Sequence, residues 1–279
     1  MKTPSWDGAP EPDISRPDAR GWVRALLRAI PLAVLVFGCL VVSLLIRLIE
    51  RPFFRMARPI TPQITVFVCR NALRLLRLPL KVHGTPMTQN GIIVANHTSW
   101  LDIFSLNASA PLYFVSKSEV AKWPGIGWLA RATGTVFIQR DRKHAVAQTR
   151  VFQDRLEAGH KLLFFPEGTS TDGLQVVDFK STLFEALFSD ALKDTVFVQP
   201  VSVVYHAPQG AEPHYYGWWG DMDFGTNLVR TLAATRQGHI EIMYHSPLKV
   251  SDFANRKTLS KAAQMRVSDG HAAMRNPIA

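Results

Sequence analysis

The sequence predicts an α/β fold with a mixed, mostly parallel sheet covered by helices and an N-terminal membrane-associated helical segment. From Gly91 onward, short apolar runs rich in β-branched and aromatic residues alternate with helix-like stretches, which is typical of α/β domains. These runs are apolar almost throughout, as in a sheet that is covered on both faces. An uncharged apolar run of 17 residues over 30–46 predicts the membrane-associated segment.

The first 81 residues divide into a tail and two anchoring helices, which we place over 20–81. Residues 1–19 are rich in Pro, Asp and Ser and are expected to form a disordered tail. As a helix, the run over 30–46 would be about 26 Å long, close to the ~30 Å hydrocarbon core of a bilayer. It could cross the membrane or dip into a single leaflet, and spanning is slightly favoured.

A second anchoring helix is expected over 64–80, because Pro59 and Pro62 interrupt the first one. This second helix is largely apolar, with arginines at helical spacing along one face. Such a basic stripe suits a helix that lies among lipid headgroups, and a soluble helix with a solvated face is the alternative. The stripe consists of Arg70, Arg74 and Arg77.

The net charge of +10 is concentrated at the N-terminal end of the chain. Residues 1–81 hold 13 Lys and Arg against 5 Asp and Glu, so most of the excess lies beside the apolar segments. This placement predicts the membrane bilayer as a partner, through its anionic surface. Nucleic acid is not expected as a partner, because the chain carries no recognition motif for it.

The sequence predicts neither a metal nor a cofactor. Its two cysteines, Cys39 and Cys69, lie in apolar surroundings and form no metal or redox motif. Histidines such as His206 and His245 show no metal-ligand spacing and are expected to be structural.

Residues 82–254 are expected to form the α/β domain, and 255–279 a polar C-terminal tail that begins with a helix. Pro200 lies inside one strand-like run, where proline usually marks an edge strand or a bulge. The other elements follow from the alternation of patterns. Strands are predicted over 91–95, 134–138, 161–165, 196–205 and 239–244, and helices over 100–109, 143–158 and 180–192.

A histidine and an aspartate follow the first predicted strand, in the sequence NHTSWLD at 96–102. Five residues turn about 500° around a helix, so the two side chains would not share one helical face. They can meet if His97 lies in the turn before a helix, with Thr98 or Ser99 as N-cap, and Asp102 lies in its first turns. The carboxylate would then orient the imidazole, which could take a proton from a hydroxyl. No G-x-S-x-G serine is present, so His97 is expected to act directly on the substrate.

A Pro-Glu-Gly turn follows another predicted strand, in the sequence FPEGTS at 165–170. An isolated turn of this kind is often only a turn. Its position after a strand, however, matches that of the histidine motif. Its hydroxyls and backbone N–H groups suit a polar or anionic group, so the substrate-binding candidates here are Glu167, Gly168 and Thr169.

Two cations are candidates for binding an anionic part of the substrate. Arg140 lies just past the strand-like run GTVFI and could make a two-pronged contact with a phosphate or carboxylate. A surface arginine paired with Asp141 is the alternative. Lys180 is a second cation candidate. The aromatic pair Trp218 and Trp219 could line an acyl pocket, lie at the membrane interface or belong to the core.

Four sequence blocks together resemble the membrane-bound glycerolipid, or lysophosphatidate-type, acyltransferases. The blocks are NHTSWLD, GTVFIQR, FPEGTS and VQPVSVVY, and they occur in the family's order over about 96–205. The set is far more specific than any single block, and apolar N-terminal helices are also typical of the family. We therefore expect 82–254 to be an acyltransferase catalytic domain.

The resemblance implies transfer of a fatty acyl group from acyl-CoA or acyl carrier protein to the free hydroxyl of a lysolipid. It places this reaction at the cytoplasmic face of a bacterial inner membrane. The first acceptor implied is 1-acyl-sn-glycerol-3-phosphate, which would give phosphatidic acid. His97 would be the general base and Asp102 its orienting partner. Three residues match positions that bind the acceptor's glycerol and phosphate: Arg140, Glu167 and Gly168.

Two alternatives remain. The segment GWWGDMDF at 217–224 resembles one in a bacterial subset that includes lyso-ornithine lipid acyltransferases, whose acceptor carries no phosphate. A lyso-ornithine lipid acyltransferase, or another lysolipid acyltransferase or transacylase, would use the same residues on a different acceptor. The alternative of another class is a non-catalytic membrane lipid-binding protein with a decayed site. The intact His97, Asp102, Glu167 and Gly168 argue against it.

Overall fold

The computed structural model describes residues 6–123, 125–138 and 145–276. Helices and strands alternate along most of this part of the chain. The helices are α1 (Ala19–Phe54), α2 (Thr61–Leu76), α3 (Asp102–Ser109), α4 (Ile126–Thr133), α5 (Ala145–Glu157), α6 (Phe224–Ala233) and α7 (Arg256–Arg275). The strands are β1 (Leu80–His83), β2 (Gly91–Ala95), β3 (Tyr113–Lys117), β4 (Val136–Ile138), β5 (Leu162–Phe164), β6 (Phe197–His206), β7 (His239–Tyr244) and β8 (Leu248–Lys249).

The strands form one eight-stranded sheet in the order β1-β7-β6-β2-β5-β3-β4, with β8 paired to β6. Strands β6, β2, β5, β3 and β4 run parallel to one another. Strands β7 and β8 run antiparallel to β6, and β1 runs parallel to β7. The predicted mixed, mostly parallel sheet is therefore confirmed.

Helices cover both faces of this sheet, as its apolar strands predicted. On one face, Leu73 of α2, Leu106 of α3 and Leu232 of α6 share a core with Ile93 of β2. The opposite face is packed by α5 and α7 over the neighbouring residues of the same strands. Residue Ile92, next to Ile93 on β2, belongs to this second core, because successive strand residues point to opposite faces.

Helix α1 is one continuous helix of 36 residues, twice as long as the apolar run that predicted it. Its N-cap is Asp18, whose side chain accepts from the Gly21 N–H, and it continues through Pro31 and Pro52. Within the described residues it is the one helix long and apolar enough to cross a membrane, with a mean hydropathy of 2.8 over its most apolar window. None of that window is buried.

Helix α2 begins earlier and ends earlier than the predicted 64–80. Pro62 lies in the first turn of α2 instead of in the break before it, because proline has no N–H to lose there and its fixed φ suits a helix start. The helix ends at Arg77, which adopts the left-handed conformation with φ of 56°. Leu80, which the pattern placed in this helix, is the first residue of β1.

The predicted strands are present, but β1, β3 and β8 were not foreseen. The stretch predicted as helix over 180–192 forms a 3₁₀-helix at Ser181–Phe188. Pro200 does not mark an edge, because β6 lies inside the sheet between β2 and β7. It falls between the residues of β6 that pair with β8 and those that pair with β7. Pro200, which has no backbone N–H, therefore lies in the gap between the two antiparallel partners of β6.

Both chain ends pack against the rest of the chain. The helix expected at the start of 255–279 is present as α7, which spans 20 residues and buries Leu259, Ala263 and Val267 against the sheet. Its N-cap Asn255 and the residue three positions into the helix, Thr258, form a capping box. At the other end, residues 6–18 lie against the segment around Trp219, whose indole N–H donates to the Ala9 carbonyl at 3.1 Å.

Candidate active site

The histidine motif begins where β2 ends, at the carboxyl edge of the parallel strands. Asn96 is 1% exposed, and its side chain binds the backbone of β6 twice. Its amide N–H₂ donates to the Val203 carbonyl at 2.9 Å, and its amide oxygen accepts from the Val203 N–H at 2.8 Å. This pair of bonds replaces a sheet contact at the strand's end and fixes the direction in which His97 leaves it.

The structure brings His97 and Asp102 into direct contact, as the spacing predicted. His97 Nδ1 lies 2.6 Å from Asp102 Oδ2. His97 lies in the turn after β2, and Asp102 is the first residue of α3. The helix's N-cap is Leu101 and makes no side-chain cap. The expected hydroxyl contact is made one turn earlier, where Ser99 Oγ accepts the Leu101 N–H at 3.3 Å.

Asp102 organises the turn by accepting hydrogen bonds from its backbone. Its carboxylate is fully buried, and Oδ2 accepts the N–H groups of Thr98 and Ser99 at 2.8 and 3.1 Å. Its other oxygen, Oδ1, accepts the Tyr205 hydroxyl at 2.8 Å. The two backbone N–H groups, the Tyr205 hydroxyl and His97 surround the carboxylate. They hold it in one orientation and satisfy its oxygens in place of water.

Tyr205 is a residue of the site that the sequence motifs did not identify. It lies near the end of β6, is 4% exposed, and its oxygen is also 3.1 Å from Ser105 Oγ. Burial and the nearby Asp102 carboxylate raise the pKa of Tyr205 well above its ordinary value. The hydroxyl therefore remains a hydrogen-bond donor to Asp102 at neutral pH.

The bond to Asp102 fixes the tautomer of His97. A carboxylate can only accept, so in the neutral imidazole Nδ1 carries the proton and Nε2 carries the free lone pair. The imidazole also stacks on Phe165, with ring centroids 4.0 Å apart and planes 8° apart. Its side chain is 21% exposed, and no group in the described ranges hydrogen-bonds Nε2. The lone pair is thus available to a substrate.

Glu167 lies behind the His97 turn, not on its open side. It is 1% exposed, and its two oxygens accept the backbone N–H groups of His97 at 2.8 Å and Val177 at 3.0 Å. Burial raises the pKa of Glu167 to about 8, and the two N–H donors oppose that rise. In this arrangement the side chain links the two loops that follow β2 and β5.

The loop after β5 is tied to the same turn by its backbone. Gly168 has a positive φ of 78° and closes the Pro-Glu-Gly turn by donating to the Phe165 carbonyl at 3.1 Å. Thr169 follows it, with its hydroxyl on the Ser170 carbonyl at 3.2 Å. Two residues later, the Thr171 N–H donates to the His97 carbonyl at 3.0 Å. A backbone hydrogen bond therefore joins the loop of the Pro-Glu-Gly motif to the histidine turn.

Helix α7 supports this loop from behind. His271 Nε2 is 3.1 Å and Arg275 Nη1 is 3.3 Å from the carbonyl of Gly173. Gly173 has a φ of 73°, and a Cβ there would collide with the side chain of Thr98. The predicted C-terminal tail thus contributes to positioning the histidine turn, a role that its polar sequence did not indicate.

The remaining predicted residues lie in different surroundings. Arg140 lies outside the described residues. Lys180 is exposed, at the far end of the loop after β5, with its backbone N–H on the Pro166 carbonyl at 2.9 Å. Trp219 is buried, whereas Trp218 is half-buried and its backbone N–H donates to the Thr98 carbonyl at 3.0 Å. The aromatic segment therefore borders the histidine turn.

A histidine backed by a buried carboxylate, at the carboxyl edge of a parallel sheet, defines a site that can take a proton from a hydroxyl. The chain matches the family described as Acyltransferase over residues 79–204. It is 52% identical over 270 residues to a lyso-ornithine lipid O-acyltransferase of Rhodobacter capsulatus, across 97% of this chain and 98% of that protein. It therefore belongs to the acyltransferase family and is an O-acyltransferase that acts on lysolipids.

Two further comparisons agree with the family and the fold. The chain is 35% identical over 152 residues to a 1-acyl-sn-glycerol-3-phosphate acyltransferase of Neisseria gonorrhoeae, covering 52% of this chain and 58% of that one. The crystal structure of the 1-acyl-sn-glycerophosphate (LPA) acyltransferase PlsC from Thermotoga maritima has the same fold. It matches with a TM-score of 0.64 at 23% identity, over 93% of this chain and 98% of that one. The family resemblance of the four sequence blocks is thus confirmed.

Proposed function

We propose that the protein transfers a fatty acyl group from a thioester to the free hydroxyl of lyso-ornithine lipid, with His97 as general base. The observation that carries the chemistry is the 2.6 Å contact between His97 Nδ1 and the fully buried Asp102 carboxylate. The likeness to the Rhodobacter capsulatus lyso-ornithine lipid O-acyltransferase, over nearly the whole of both chains, supports the choice of acceptor.

In the proposed reaction, His97 Nε2 takes the proton of the acceptor hydroxyl as its oxygen attacks the thioester carbonyl. Asp102 stabilises the resulting imidazolium, and backbone N–H groups stabilise the tetrahedral oxyanion. The carbon–sulfur bond then breaks, and the imidazolium returns its proton to the leaving thiolate. The products are the acylated lipid and a free thiol, and His97 is regenerated.

The donor is proposed to be acyl-CoA or acyl carrier protein. Both present the acyl group as a thioester, and the chemistry at His97 is the same for either. A basic surface suits an acidic carrier protein. The positive charge of this chain, however, is concentrated in its first 81 residues, where anionic lipid is an equal partner. Only a direct comparison of the two donors separates them.

A second candidate acceptor is 1-acyl-sn-glycerol-3-phosphate, which the sequence blocks implied first. The 35% identity to the Neisseria gonorrhoeae enzyme supports it, over about half of each chain. The longer and closer match to the lyso-ornithine lipid enzyme favours the phosphate-free acceptor. The two oxygens of Glu167 accept backbone N–H groups, and its side chain is buried. It is therefore proposed as a positioning residue for the His97 turn.

We place the protein on the cytoplasmic face of a bacterial inner membrane, with α1 inserted in one leaflet. Near its start, Arg24 and Arg28 donate to the carbonyls of 232–234, at the carboxyl end of α6. Near its other end, the buried Glu50 accepts the N–H groups of Ile60 and Thr61, where α2 begins. One end of α1 thus binds α6, and the other binds the start of α2, which shares a core with α3 and α6 on one face of the sheet.

This double attachment supports an interfacial helix over a spanning one. A helix of 36 residues is about 54 Å long, well beyond the ~30 Å hydrocarbon core. A spanning α1 would place its ends on opposite sides of the bilayer. Its outer surface is apolar, with Leu27, Leu48 and Phe53 between 70% and 77% exposed. Such a surface suits burial among acyl chains while the domain remains in water.

The attachment can be tested by labelling single cysteines at the two ends of α1. Cys39 is replaced by Ala, and Cys69 is kept, because burial raises the pKa of its thiol to about 12 and leaves it unreactive. With Arg20→Cys or Arg55→Cys, we expect an impermeant maleimide to react from the cytoplasmic side in both variants. Labelling of the two positions from opposite sides would contradict the interfacial placement.

The acceptor and donor are tested together in membranes that carry the protein. Labelled acyl-CoA and acyl carrier protein are each offered with lyso-ornithine lipid and with 1-acyl-sn-glycerol-3-phosphate, against membranes without the protein. We expect transfer to lyso-ornithine lipid to exceed transfer to the phosphate acceptor at least tenfold. Transfer that favours the phosphate acceptor would reverse the assignment. Lipid binding without transfer from any donor would support the non-catalytic alternative.

A further inference from the structure

Three histidines and a glutamate lie together on one face of the sheet, outside the His97 site. His206 is the last residue of β6 and pairs across the sheet with His239, the first residue of β7. Glu241 follows two residues later on β7 and therefore points to the same face. His83, the last residue of β1, joins the group from the neighbouring edge strand.

The spacing of the ligand atoms is close to that of a metal site. Ligand atoms of His206, His239 and Glu241 all lie within 4.8 Å of one another. His239 Nε2 and His83 Nε2 are each 3.1 Å from an oxygen of Glu241. Ligands about 2.0–2.1 Å from a tetrahedral zinc ion are about 3.3 Å from one another. Small side-chain rotations would therefore close His206, His239 and Glu241 around one ion, and His83 lies beside the second oxygen of the same carboxylate.

His206 supplies the independent sign that a ligand belongs here. Its Nε2 atom is buried and has no hydrogen-bond partner in the part of the chain that the structure describes. Its ring stacks on His239, with centroids 4.2 Å apart and planes 7° apart. A buried polar atom without a partner is costly unless something binds it.

Two positive side chains also face the group and oppose a bound cation. Lys81 Nζ is 3.2 Å from Glu241 Oε1. Arg275 of α7 is close enough to His206 for an electrostatic interaction. The Lys81 side chain is 61% exposed and can turn into solvent, which frees its carboxylate oxygen for an ion. Without an ion, Lys81, His83 and His239 share a single carboxylate, and His206 Nε2 has no hydrogen-bond partner among the described residues.

We propose that His206, His239 and Glu241, with His83 as a fourth ligand, bind one divalent transition-metal ion such as Zn²⁺. Imidazole with carboxylate suits Zn²⁺, Co²⁺ and Ni²⁺, whereas Mg²⁺ and Ca²⁺ prefer all-oxygen sites. The ion links β6, β7 and β1. Because β1 is an edge strand that pairs with β7 alone, the ion's role is to fasten this edge of the sheet. The sequence spacing could not show the site, since its ligands come from three separate strands.

The test is a titration of the full-length, detergent-solubilised and chelator-treated protein with Co²⁺ and with Zn²⁺. We expect one ion per chain, visible Co²⁺ absorption of a four-coordinate site, and displacement of Co²⁺ by Zn²⁺. Saturating Zn²⁺ should raise the melting temperature by about 5 °C. His206→Gln and Glu241→Gln should each weaken binding at least tenfold, whereas a matched control, His214→Gln, should bind as the native chain does. Mg²⁺ should give no signal.

Two results would overturn the proposal. One is the absence of stoichiometric Co²⁺ or Zn²⁺ binding to the native chain. The other is binding by His206→Gln that is as tight as in the native protein. Titration of His97→Ala guards against an ion held by the catalytic pair, and it should still bind one ion. Acyl transfer by His206→Gln and Glu241→Gln, measured before the titration, confirms that both variants are folded.

Discussion

The carboxyl edge of the sheet and helix α1 handle polarity in opposite ways. At the edge, charged and polar groups such as Asn96, Asp102 and Glu167 are almost fully buried and hydrogen-bonded to the backbone. On α1, large apolar side chains such as Leu27 and Leu48 are mostly exposed. Each arrangement is costly for an ordinary soluble domain.

The two regions meet two different requirements of acyl transfer to a lipid, namely a precisely oriented base and attachment to the membrane. The buried carboxylates at the edge hold one imidazole in one orientation, which proton transfer needs. The exposed face of α1 has no such precision and depends only on apolar area, which a bilayer can cover. Changes at the edge should therefore alter turnover, and changes on α1 should alter membrane binding.

Asp102→Asn is expected to have the largest effect on turnover without an effect on membrane binding. The amide no longer stabilises the imidazolium and favours the wrong tautomer of His97, so kcat should fall by about 10³-fold. Membrane association should be unchanged. The measurement is steady-state acyl transfer alongside sedimentation with membranes. Asp223→Asn is the control, because that residue caps α6 and asparagine caps helices equally well. A loss smaller than tenfold in Asp102→Asn would remove Asp102 from the mechanism.

The opposite effect is expected from the double variant Leu27→Ser and Leu48→Ser. Burial of each leucine in lipid contributes about 2 kcal/mol, so vesicle partitioning should fall by about 10³-fold. Turnover on detergent-dispersed acceptor should stay within twofold. Met265→Ser, at an exposed site on α7, is the control and should bind vesicles normally. Equal partitioning of the double variant would mean that α1 does not enter the bilayer.

A smaller loss of turnover is expected from Tyr205→Phe. The change removes the donor to Asp102 Oδ1 and leaves the carboxylate less firmly held. We expect kcat to fall about tenfold, with little change in KM. Tyr216→Phe is the matched control, because its hydroxyl binds Gln237 and Gly238 away from Asp102. If the two variants lose the same activity, the loss reflects general destabilisation.

The smallest expected effect concerns Glu167 and pH. The pKa of Glu167 is about 8 in the folded chain against an ordinary 4.5. Between these two pH values, the Glu167 carboxyl group is therefore protonated in the folded protein and ionised in the unfolded one. The free energy of unfolding should therefore fall as pH rises from about 5 to 8, on the order of 1–3 kcal/mol. In Glu167→Gln this fall in the free energy of unfolding between about pH 5 and 8 should be absent. Denaturation at several pH values measures it, and identical pH slopes in both proteins would contradict it.

Local patterns predicted those features that depend on neighbouring residues. The apolar strand runs, the turn at 166–168 and the contact between His97 and Asp102 all arise within a few residues. The partners of these groups did not follow from the sequence. Tyr205 reaches Asp102, and Asn96 reaches Val203, across more than 100 residues. Such contacts depend on the strand order, which places β6 beside β2.

The ends of the chain show the same limit. The polar composition of 255–279 predicted a helix followed by a tail and no contact with the core, because only a narrow stripe of α7 is apolar. The sheet nevertheless buries that stripe, including Leu259 and Val267. For α1, the apolar run gave a length suited to spanning. The arginines and Glu50 that attach it to the domain become informative only when α6 and α2 are in place.

The most direct test of the central claim is single-turnover acyl transfer to lyso-ornithine lipid by the native chain and by His97→Ala. Circular dichroism and vesicle binding first confirm that the variant is folded and membrane-associated. We predict that the rate falls by at least about 10³-fold, because Nε2 is the group that takes the hydroxyl proton. A His97→Ala rate within tenfold of the native rate would show that this imidazole is not the base.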